Sequence, residues 1–273
     1  MRLNKKQIAK IHWILSNQFG INLKLFLLSL RGIPEFVSDF LRLRKLYQGP
    51  MMLLPCLHDR YAEGGSTKHE YFWQDLLVAQ RIFESKPVRH VDIGSRVDGF
   101  IAHVASFREI EVIDIRPVSA TIPGVLFRKG DIMNPQSLPV SDDGNGYCDS
   151  LSCLHALEHF GLGRYGDRVD AEGYSHGIAN MASLLRPNGV FYLSTPIGRE
   201  RVEFNANWVF DPRSILRKAQ SSGLKLSKLT VITPIGDTKE SGIDDGTLCA
   251  LANKEYSLGL FTFVKSLDGN IQQ

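Results

Sequence analysis

Two histidines and a glutamate stand close together near the middle of the sequence, in the run His155-Ala156-Leu157-Glu158-His159. A neutral imidazole can take a proton from a hydroxyl near neutral pH, and a second histidine one helical turn away could supply the base or orient it. At spacings of three and four residues, the side chains of His155, Glu158 and His159 are predicted to share one helix face. All three are therefore candidate catalytic residues. Binding of a divalent cation by the same side chains and a purely structural helix start are the alternatives.

A glycine-containing loop lies upstream of these residues. The β-branched run before Gly94 predicts a buried strand that ends at this glycine, and residues 100–105 predict a helix. Gly94 and Gly99 allow a sharp turn and the close approach of a ligand, and the free N–H groups at the helix start would point towards it. The spacing matches neither the dinucleotide-binding pattern nor a P-loop. It predicts a nucleotide-type site, with an ordinary strand-to-helix turn as the alternative.

Three aspartates lie in or at the ends of the predicted strands of this unit. Asp92 lies inside the first strand, where a carboxylate is costly to bury without donors, so it is predicted to order the Gly94 loop or to meet a cationic ligand. Asp114 ends the second strand, where a carboxylate can accept from both hydroxyls of a ribose. Asp131 ends the third and could accept from an adenine amine. Each could instead cap a helix, but the set of three favours a nucleoside ligand.

Strands and helices alternate through the part of the chain that carries these residues. Further strands are predicted at 110–115, 125–127, 147–154, 190–194, 224–231 and 259–264, and helices at 71–83, from Ala156, at 178–185 and at 212–222. Such alternation predicts an α/β fold with a mostly parallel, doubly wound sheet that is covered on both faces. The ends of its parallel strands would bring the candidate residues to one edge. We predict that this domain comprises residues 61–273.

Residues 1–60 are predicted to form a basic, amphipathic helical extension, with helices at 4–17 and 20–47. Residues 1–50 contain nine Lys and Arg against two acidic residues, so this part carries +7 and the remainder −4 of the net charge of +3. The apolar run 25–30 is far shorter than the ~20 residues that a membrane span requires. The helices therefore either make peripheral contact with an anionic membrane surface or pack on the domain with a solvated basic face.

Taken together, these motifs resemble the motif series of class I S-adenosylmethionine-dependent methyltransferases. The resemblance rests on Val91-Asp92-Ile93-Gly94-Ser95, Gly99, Asp114, Gly130-Asp131, Leu157-Glu158-His159 and Leu185-Arg186-Pro187-Asn188-Gly189-Val190. Within that superfamily, residues 155–167 resemble an uncharacterised methyltransferase-like family. The resemblance implies a Rossmann-like, seven-stranded sheet whose last strand is antiparallel. It also implies S-adenosylmethionine as the cofactor.

The same resemblance implies a role for each cofactor-binding residue. It places Asp92, Gly94, Ser95 and Gly99 at the methionine end of S-adenosylmethionine. It places Asp114, with Ile115 beside it, at the ribose, and Asp131 and Ile132 at the adenine. This chain departs from the pattern at Arg96, where the family usually has a third glycine. Arg96 is expected either to narrow the site or to reach the carboxylate of the ligand.

The acceptor is predicted to be a small hydroxylated molecule or a sugar or glycan-linked compound, methylated on oxygen. Residues 161–167 and 199–210 are the expected recognition loops, because they are polar, glycine-bearing or aromatic and follow the fourth and fifth strands. Their candidate substrate-binding residues are Arg164, Tyr165, Asp167, Asn205 and Trp208. The chain lacks a basic stripe interleaved with aromatic residues and the Asn-Pro-Pro-Tyr-type motif of base methylation. Both features argue against nucleic acid.

A second functional class is a non-catalytic, methyltransferase-like binding module that acts through its basic N-terminal helices. Retention of Asp92, Gly94, Asp114 and Asp131 favours the enzyme. The four cysteines form no C-x-x-C pair, so neither a zinc site nor a disulfide framework is indicated. No secretory segment is recognised at the start, and we expect a cytoplasmic protein, with peripheral contact at the inner membrane face as a further possibility. The sequence leaves the oligomeric state open.

Overall fold

The structure, a computed structural model, describes residues 4–141 and 144–267. Contacts between Cα atoms divide the chain into two units, Met1–Ser66 and Thr67–Gln273. The boundary predicted from the sequence, between residues 60 and 61, lies a few residues before this division. The larger unit contains every candidate catalytic, cofactor-binding and substrate-binding residue.

The smaller unit contains two helices, α1 (Lys5–Phe19) and α2 (Leu23–Leu46), at the positions predicted from the sequence. Each begins at an asparagine that accepts a hydrogen bond from the first turn. Asn4 accepts from the N–H of Gln7 at 2.9 Å, and Asn22 accepts from the N–H of Leu25 at 3.0 Å. These caps satisfy N–H groups that have no partner within the helix. Among the described residues, no helix has the length and apolar character needed to cross a membrane.

The larger unit is built on one eight-stranded sheet with the strand order β3-β2-β1-β4-β5-β10-β8-β9. The strands of the unit are β1 (His90–Ile93), β2 (Ile110–Asp114), β3 (Val125–Lys129), β4 (Cys148–Leu154), β5 (Leu185–Ile197), β6 (Arg201–Glu203), β7 (Asn207–Val209), β8 (Leu224–Ile232), β9 (Thr238–Ser241) and β10 (Ser257–Lys265). β1 to β5 pair in parallel, and β10 is antiparallel to both β5 and β8. The predicted mostly parallel sheet and its antiparallel last strand are confirmed.

The predicted number of strands, seven, is wrong by one. The additional strand is β9, which pairs antiparallel with β8 at the edge of the sheet. Its residues, Thr-Lys-Glu-Ser, are mostly exposed and contain no apolar side chain. Hydrophobic alternation therefore gave no indication of it, because an exposed edge strand has no face to bury. The β6–β7 hairpin was predicted as a loop because each of its strands has only three residues, too few to show an alternating pattern.

Helices cover both faces of the sheet, as predicted. They are α3 (Glu70–Ser85), α4 (Ala102–Ala105), α5 (Gly173–Leu184), α6 (Pro212–Ser221) and α7 (Asp245–Ala252). One apolar cluster joins α3 and α4 to side chains such as Val112 and Tyr192. The other joins α5, α6 and α7 to their strand neighbours Ile113 and Leu193. Successive residues of one strand thus face opposite layers, as the pleat requires.

Candidate active site

Asp92 holds the glycine loop against the end of β4. The backbone N–H of Ser95 donates to Oδ1 of Asp92 at 2.9 Å, and the hydroxyls of Ser95 and Ser152 donate to Oδ2 at 2.6 and 2.5 Å. Ser95 Oγ in turn accepts from the N–H of Leu154 at 3.0 Å. Asp92 is fully buried, and this burial raises its pKa to about 7 despite the hydrogen bonds from Ser152 and Ser95.

A buried histidine, which the sequence reasoning missed, continues this network. His90 is level with Ser150, and Asp92 with Ser152, across the β1–β4 pair. His90 Nε2 lies 3.1 Å from Ser152 Oγ and Nδ1 lies 2.8 Å from Ser150 Oγ. Because Ser152 donates its proton to Asp92, it must accept from the Nε2–H of His90. Burial, with a contribution from Arg108, lowers the pKa of His90 to about 3. Polar residues at every second position of two buried strands were the available signal.

At both glycines of the loop, a side chain would crowd neighbouring protein atoms. Gly94 has φ 69°, which favours glycine, and a Cβ there would lie 3.2 Å from the Cβ of Ala156. A Cβ on Gly99 would lie 2.6 Å from Oδ2 of Asp75 on α3. Arg96, between the two glycines, donates to the carboxylate of Asp98 from Nε at 3.0 Å and from Nη2 at 2.6 Å.

Asp114 lies at the end of β2, as predicted, but its carboxylate already has a partner. Arg116 donates to Oδ1 from its backbone N–H at 2.8 Å and from Nε at 3.1 Å, and to Oδ2 from Nη2 at 2.7 Å. The guanidinium carbon of Arg116 lies 4.3 Å from the ring centroid of Tyr165. Both oxygens that were predicted to accept from a ribose therefore accept from Arg116 in this conformation. Ile115, between the two, is half-buried.

Asp131 and Ile132 follow β3 in a compact turn. Asp131 Oδ1 accepts from the N–H of Met133 at 2.9 Å. Ser137 Oγ accepts from the N–H of Asp131 at 3.1 Å and donates to its carbonyl oxygen at 2.7 Å. Ile132 is buried, and its carbonyl oxygen accepts from Asn180 of α5 at 2.8 Å. Two parts of the chain thus hold the turn in place.

His155 and Glu158 form a buried pair directly after β4. The Nδ1 atom of His155 lies 2.6 Å from Oε1 of Glu158, and the imidazole stacks on the ring of Tyr71 at 4.3 Å. His155 Nε2 is buried, and within the described residues it has no hydrogen-bond partner; Oε1 of Glu70 lies 3.8 Å away. Burial alone would raise the pKa of Glu158, but the adjacent His155 holds it below its ordinary value. Glu158 is therefore a carboxylate, and Nδ1 of His155 carries a hydrogen.

His159 has one ring nitrogen that makes no hydrogen bond within the described part of the chain. Its Nδ1 donates to the carbonyl oxygen of Ala206 at 2.7 Å, which leaves the lone pair on Nε2, 4.0 Å from Oε1 of Glu158. Burial lowers the pKa of His159 although Glu158 opposes the shift, so the ring is neutral near pH 7. Arg164 donates to the same carbonyl oxygen at 2.8 Å.

The predicted helix from Ala156 is wrong, although the three catalytic candidates do lie together. The chain makes only one helical turn, Leu157–His159, and His155 has φ 51° outside that turn. Beyond it, glycines in the left-handed region at 161, 163 and 166 prevent a helix from continuing. Glu158 bridges the two histidines from within the turn.

The start of α3 supplies further residues that the sequence reasoning missed. Tyr71 stacks on His155, and Glu70 accepts from the hydroxyl of Tyr256 at 2.7 Å. Gln74 accepts from Ser194 at 2.5 Å and donates to Asp75 at 3.1 Å. Burial raises the pKa of Asp75 to about 6. Buried polar residues on an otherwise apolar helix just before β1 were the available signal.

The substrate-binding candidates fall into two groups. Asp167 accepts from the N–H groups of Gly161, Gly163 and Tyr165 at 2.9, 3.2 and 3.1 Å, so its carboxylate orders its own loop. Tyr165 makes an edge contact with His159 at 5.4 Å between centroids. Arg164 is exposed; besides its bond to Ala206, its guanidinium carbon lies 5.1 Å from the ring centroid of Tyr165, and Nη1 lies 3.3 Å from Nδ1 of His159.

The other group lies on the β6–β7 hairpin. Trp208 stacks on Phe210 at 5.9 Å and contacts Tyr174 of α5 at 5.6 Å, while Asn205 is exposed at the tip. The contact of His159 with Ala206 joins this hairpin to the turn after β4. In the described parts of the chain, no three His, Cys, Asp or Glu side chains are grouped so that they could hold a metal ion.

One protein family matches part of the chain. Residues 142–216 match a family described as Caenorhabditis protein of unknown function, DUF268. The matched segment runs from just before β4 to α6. It therefore contains His155, Glu158, His159 and the β6–β7 hairpin, but not β1, β2 or β3. No functionally curated protein matches the sequence closely enough to count as a relative.

Several solved structures are similar to this chain, and the first of those that follow shares its fold. The cyclase SpnF has 15% sequence identity and a TM-score of 0.53, over 75% of this chain and 86% of that chain. A methyltransferase from Burkholderia thailandensis, bound to 1,6-didemethyltoxoflavin and S-adenosylhomocysteine, has 14% identity and a TM-score of 0.48, over 90% and 91%. CalS10 of Micromonospora echinaspora, a SAM-bound amino pentose methyltransferase, has 14% identity and a TM-score of 0.47, over 80% and 100%.

Proposed function

We propose that this chain, which has the fold of class I S-adenosylmethionine-dependent methyltransferases, transfers a methyl group from S-adenosylmethionine to a hydroxyl. The acceptor in this proposal is a small hydroxylated molecule or a sugar or glycan-linked compound. The observation that carries it is the neutral His159, whose Nε2 lone pair is free beside Glu158 at the carboxyl end of β4. A hydroxyl has a high pKa, and of the common acceptors it most needs such a base.

The proposed binding site for S-adenosylmethionine lies at the ends of β1, β2 and β3. Gly94 and Gly99 keep the loop free of side chains at two positions where a Cβ would press on Ala156 and Asp75, and the methionine end is proposed to lie along this loop, beside Asp92 and Ser95. Asp114 is the proposed partner of the ribose, with Ile115 beside it, and Asp131 and Ile132 are the proposed partners of the adenine. When bound, S-adenosylmethionine would supply an electrophilic methyl group.

Arg116 must release Asp114 for a ribose to bind in this way. The ion pair is partly exposed, so its exchange for two hydroxyl donors costs little, about 1 kcal/mol or less. Tyr165 would keep the released guanidinium of Arg116 near the end of β2, since the guanidinium already stacks on its ring. We propose Arg164, Tyr165, Asn205 and Trp208 as contacts of the acceptor. Asp167 would act through the shape of its loop.

In the proposed mechanism His159 accepts the hydroxyl proton at Nε2. The imidazolium then stands 4.0 Å from the Glu158 carboxylate, which stabilises its charge. The bond from Nδ1 to Ala206 keeps the ring in the required tautomer. Glu158 is held in turn by His155 at 2.6 Å and by Thr195 at 3.4 Å. His155 thus positions the carboxylate in this scheme, and His159 moves the proton.

Calorimetry with S-adenosylmethionine and S-adenosylhomocysteine, followed by transfer of a labelled methyl group to a panel of hydroxylated metabolites and nucleotide-linked sugars, tests the proposal. We expect both nucleosides to bind and label to appear on an oxygen. Absence of binding at millimolar concentration would overturn the proposal. Binding of both nucleosides, with label transferred only to nitrogen or carbon acceptors, would overturn O-methylation. Binding with no transfer to any acceptor would favour the non-catalytic binding module.

A further inference from the structure

Helix α2 packs within the smaller unit by one face and carries an apolar stripe on the opposite, exposed face. The stripe consists of Leu23, Phe26, Leu27, Leu30, Ile33, Val37 and Leu41, whose exposed fractions lie between 42% and 63%. Their spacing of mostly three and four residues places them on one face of the helix. The row extends along the axis for about 27 Å at 1.5 Å per residue. Scattered apolar residues are normal on a protein surface, but a continuous row of this length marks an interaction site.

The opposite side of α2 packs within the smaller unit. Gly32 is buried there, and a Cβ on it would lie only 1.9 Å from the carbonyl oxygen of Leu57. Ser29 and His58 lie 3.3 Å apart, and Asp39 pairs with Arg60. On a helical wheel of 100° per residue, Gly32 lies opposite the centre of the stripe. The stripe is therefore not the face by which α2 is held within its own unit.

The charges along α2 are arranged in order around the helix. Lys24, Arg31 and Arg42 border one edge of the stripe on the same wheel, and Arg44 and Lys45 lie at its end. The two acidic residues of α2 lie further round, towards the packed side: Asp39 pairs with Arg60, and one oxygen of Glu35 is buried. An apolar face bordered by cations is the pattern of a helix that lies in the plane of an anionic bilayer.

We propose that α2 attaches this protein to the surface of an anionic lipid bilayer. The stripe would enter the boundary between headgroups and acyl chains, with Lys24, Arg31 and Arg42 level with the lipid phosphates. A second copy of the chain fits the stripe less well, because in a symmetric pair the basic borders would meet without acidic partners. The helix lies on the membrane rather than across it, since its charges are distributed along its whole length.

Flotation of the full chain with vesicles tests this attachment. One set of vesicles contains only phosphatidylcholine and the other also contains phosphatidylglycerol. We expect flotation with the anionic set, weakened by salt. Leu30→Glu, at the centre of the stripe, should reduce binding at least about tenfold, because it places a charge at the boundary between the lipid headgroups and the acyl chains. Leu43→Glu is the matched control: Leu43 is equally exposed on the same helix but lies off the stripe, and its variant should float like the parent.

Two results would overturn the proposal. One is that the parent does not float with anionic vesicles, and the other is that the two glutamate variants lose vesicle binding equally. A parent that is dimeric without lipid, fails to float, and becomes monomeric with Leu30→Glu would assign the stripe to a second copy. Circular dichroism verifies the folding of each variant. If Leu30→Glu does not fold, Lys24→Gln combined with Arg42→Gln replaces it, and these changes should abolish the preference for the anionic vesicles.

Discussion

The two halves of the proposed site, one at the ends of β1, β2 and β3 and the other after β4, differ in how many of their polar groups lack a hydrogen-bond partner. On the side of β1, β2 and β3, the carboxylates of Asp92, Asp114 and Asp131 all accept from groups of this chain itself. On the side of β4, His155 and His159 each have an Nε2 atom that makes no hydrogen bond within the described residues. The first side is arranged to hold loops in place. The second retains nitrogen atoms without a hydrogen bond, and in the proposed mechanism the one on His159 accepts the proton.

The difference follows from the cost of burial. A buried carboxylate without donors is expensive, so the fold supplies donors to Asp92 from the loop that it orders. A neutral imidazole nitrogen can remain without a partner at a smaller cost, and a base must have such a lone pair. Asp114 stands between these two cases: its carboxylate has a donor, Arg116, but that donor is exposed and can be exchanged for a ligand. Changes on the two sides should therefore have different effects, the first on stability and binding and the second on turnover.

The largest effect should come from Asp92→Ala, which leaves the donors of Ser95 and Ser152 without their acceptor. We expect the free energy of unfolding to fall by about 3–4 kcal/mol. Asp98→Ala is the matched control, because Asp98 pairs with Arg96 at the surface of the same loop and should cost less than about 1 kcal/mol. Urea denaturation measures both values. Equal losses would mean that Asp92 does not anchor the loop.

On the β4 side, His159→Asn should lower kcat about 10²-fold or more while cofactor affinity and stability change little. The amide nitrogen of asparagine can donate to Ala206 as Nδ1 does, so the variant removes the base alone. His155→Ala should lower kcat to a similar extent, because it releases Glu158. His176→Ala, at an exposed histidine, is the control. Full turnover of His159→Asn with a verified acceptor would mean that another residue is the base.

At the ribose position, Asp114→Ala should weaken binding of S-adenosylmethionine by about 2 kcal/mol, because two hydroxyl groups lose their acceptor. Glu111→Ala, on the same strand and paired with Arg128, should leave the affinity unchanged. Calorimetry measures both. If the two variants bind alike, the ligand or its orientation is misassigned.

The pH dependence of stability should separate His90 from Asp92. Their pKa values are about 3 and about 7 in the folded protein, against ordinary values of 6.5 and 3.8. Between pH 4 and 6.5 the unfolded chain therefore holds a proton on His90 and the folded chain holds one on Asp92, so the two contributions cancel. Relative to the parent, His90→Gln should lose stability as the pH rises through this range, by up to about 1.4 kcal/mol per pH unit.

Asp92→Asn should show the opposite slope. Only His90 then contributes, the unfolded state binds the extra proton, and stability falls as the pH drops from 6.5 towards 3. Urea titrations at several pH values measure both slopes. Slopes of the same sign would contradict the assignment of the two protonation states.

The smallest effect should come from Arg116→Ala. The change frees the carboxylate of Asp114, and we expect S-adenosylmethionine to bind more tightly by up to about 1 kcal/mol. Calorimetry next to Asp114→Ala shows whether the two changes act in opposite directions. Weaker binding would mean that Arg116 contacts the ligand instead of competing with it.

Local sequence patterns were sufficient for much of the fold. The strand before Gly94, the alternation of strands with helices and the position of Asp114 all depend on residues close together in the chain, through hydrophobic period and turn chemistry. The same patterns correctly brought His155, Glu158 and His159 together, although by a single turn rather than by the predicted helix. β9 was not predicted, because it is polar and buries no face.

The tertiary structure alone decided which polar groups remain available. His90 meets Ser152, and His155 stacks on Tyr71, across long separations in the chain. The guanidinium of Arg116, which pairs with Asp114 only two residues away, also lies 4.3 Å from the ring centroid of Tyr165, which is distant in the chain. A sequence specifies which donors and acceptors exist, but their pairing depends on burial and on distances that arise only when the sheet brings strand ends together. For this reason candidate residues could be predicted from the sequence, but only the fold distinguished those that hold the loop from those with a ring nitrogen that makes no hydrogen bond within the described residues.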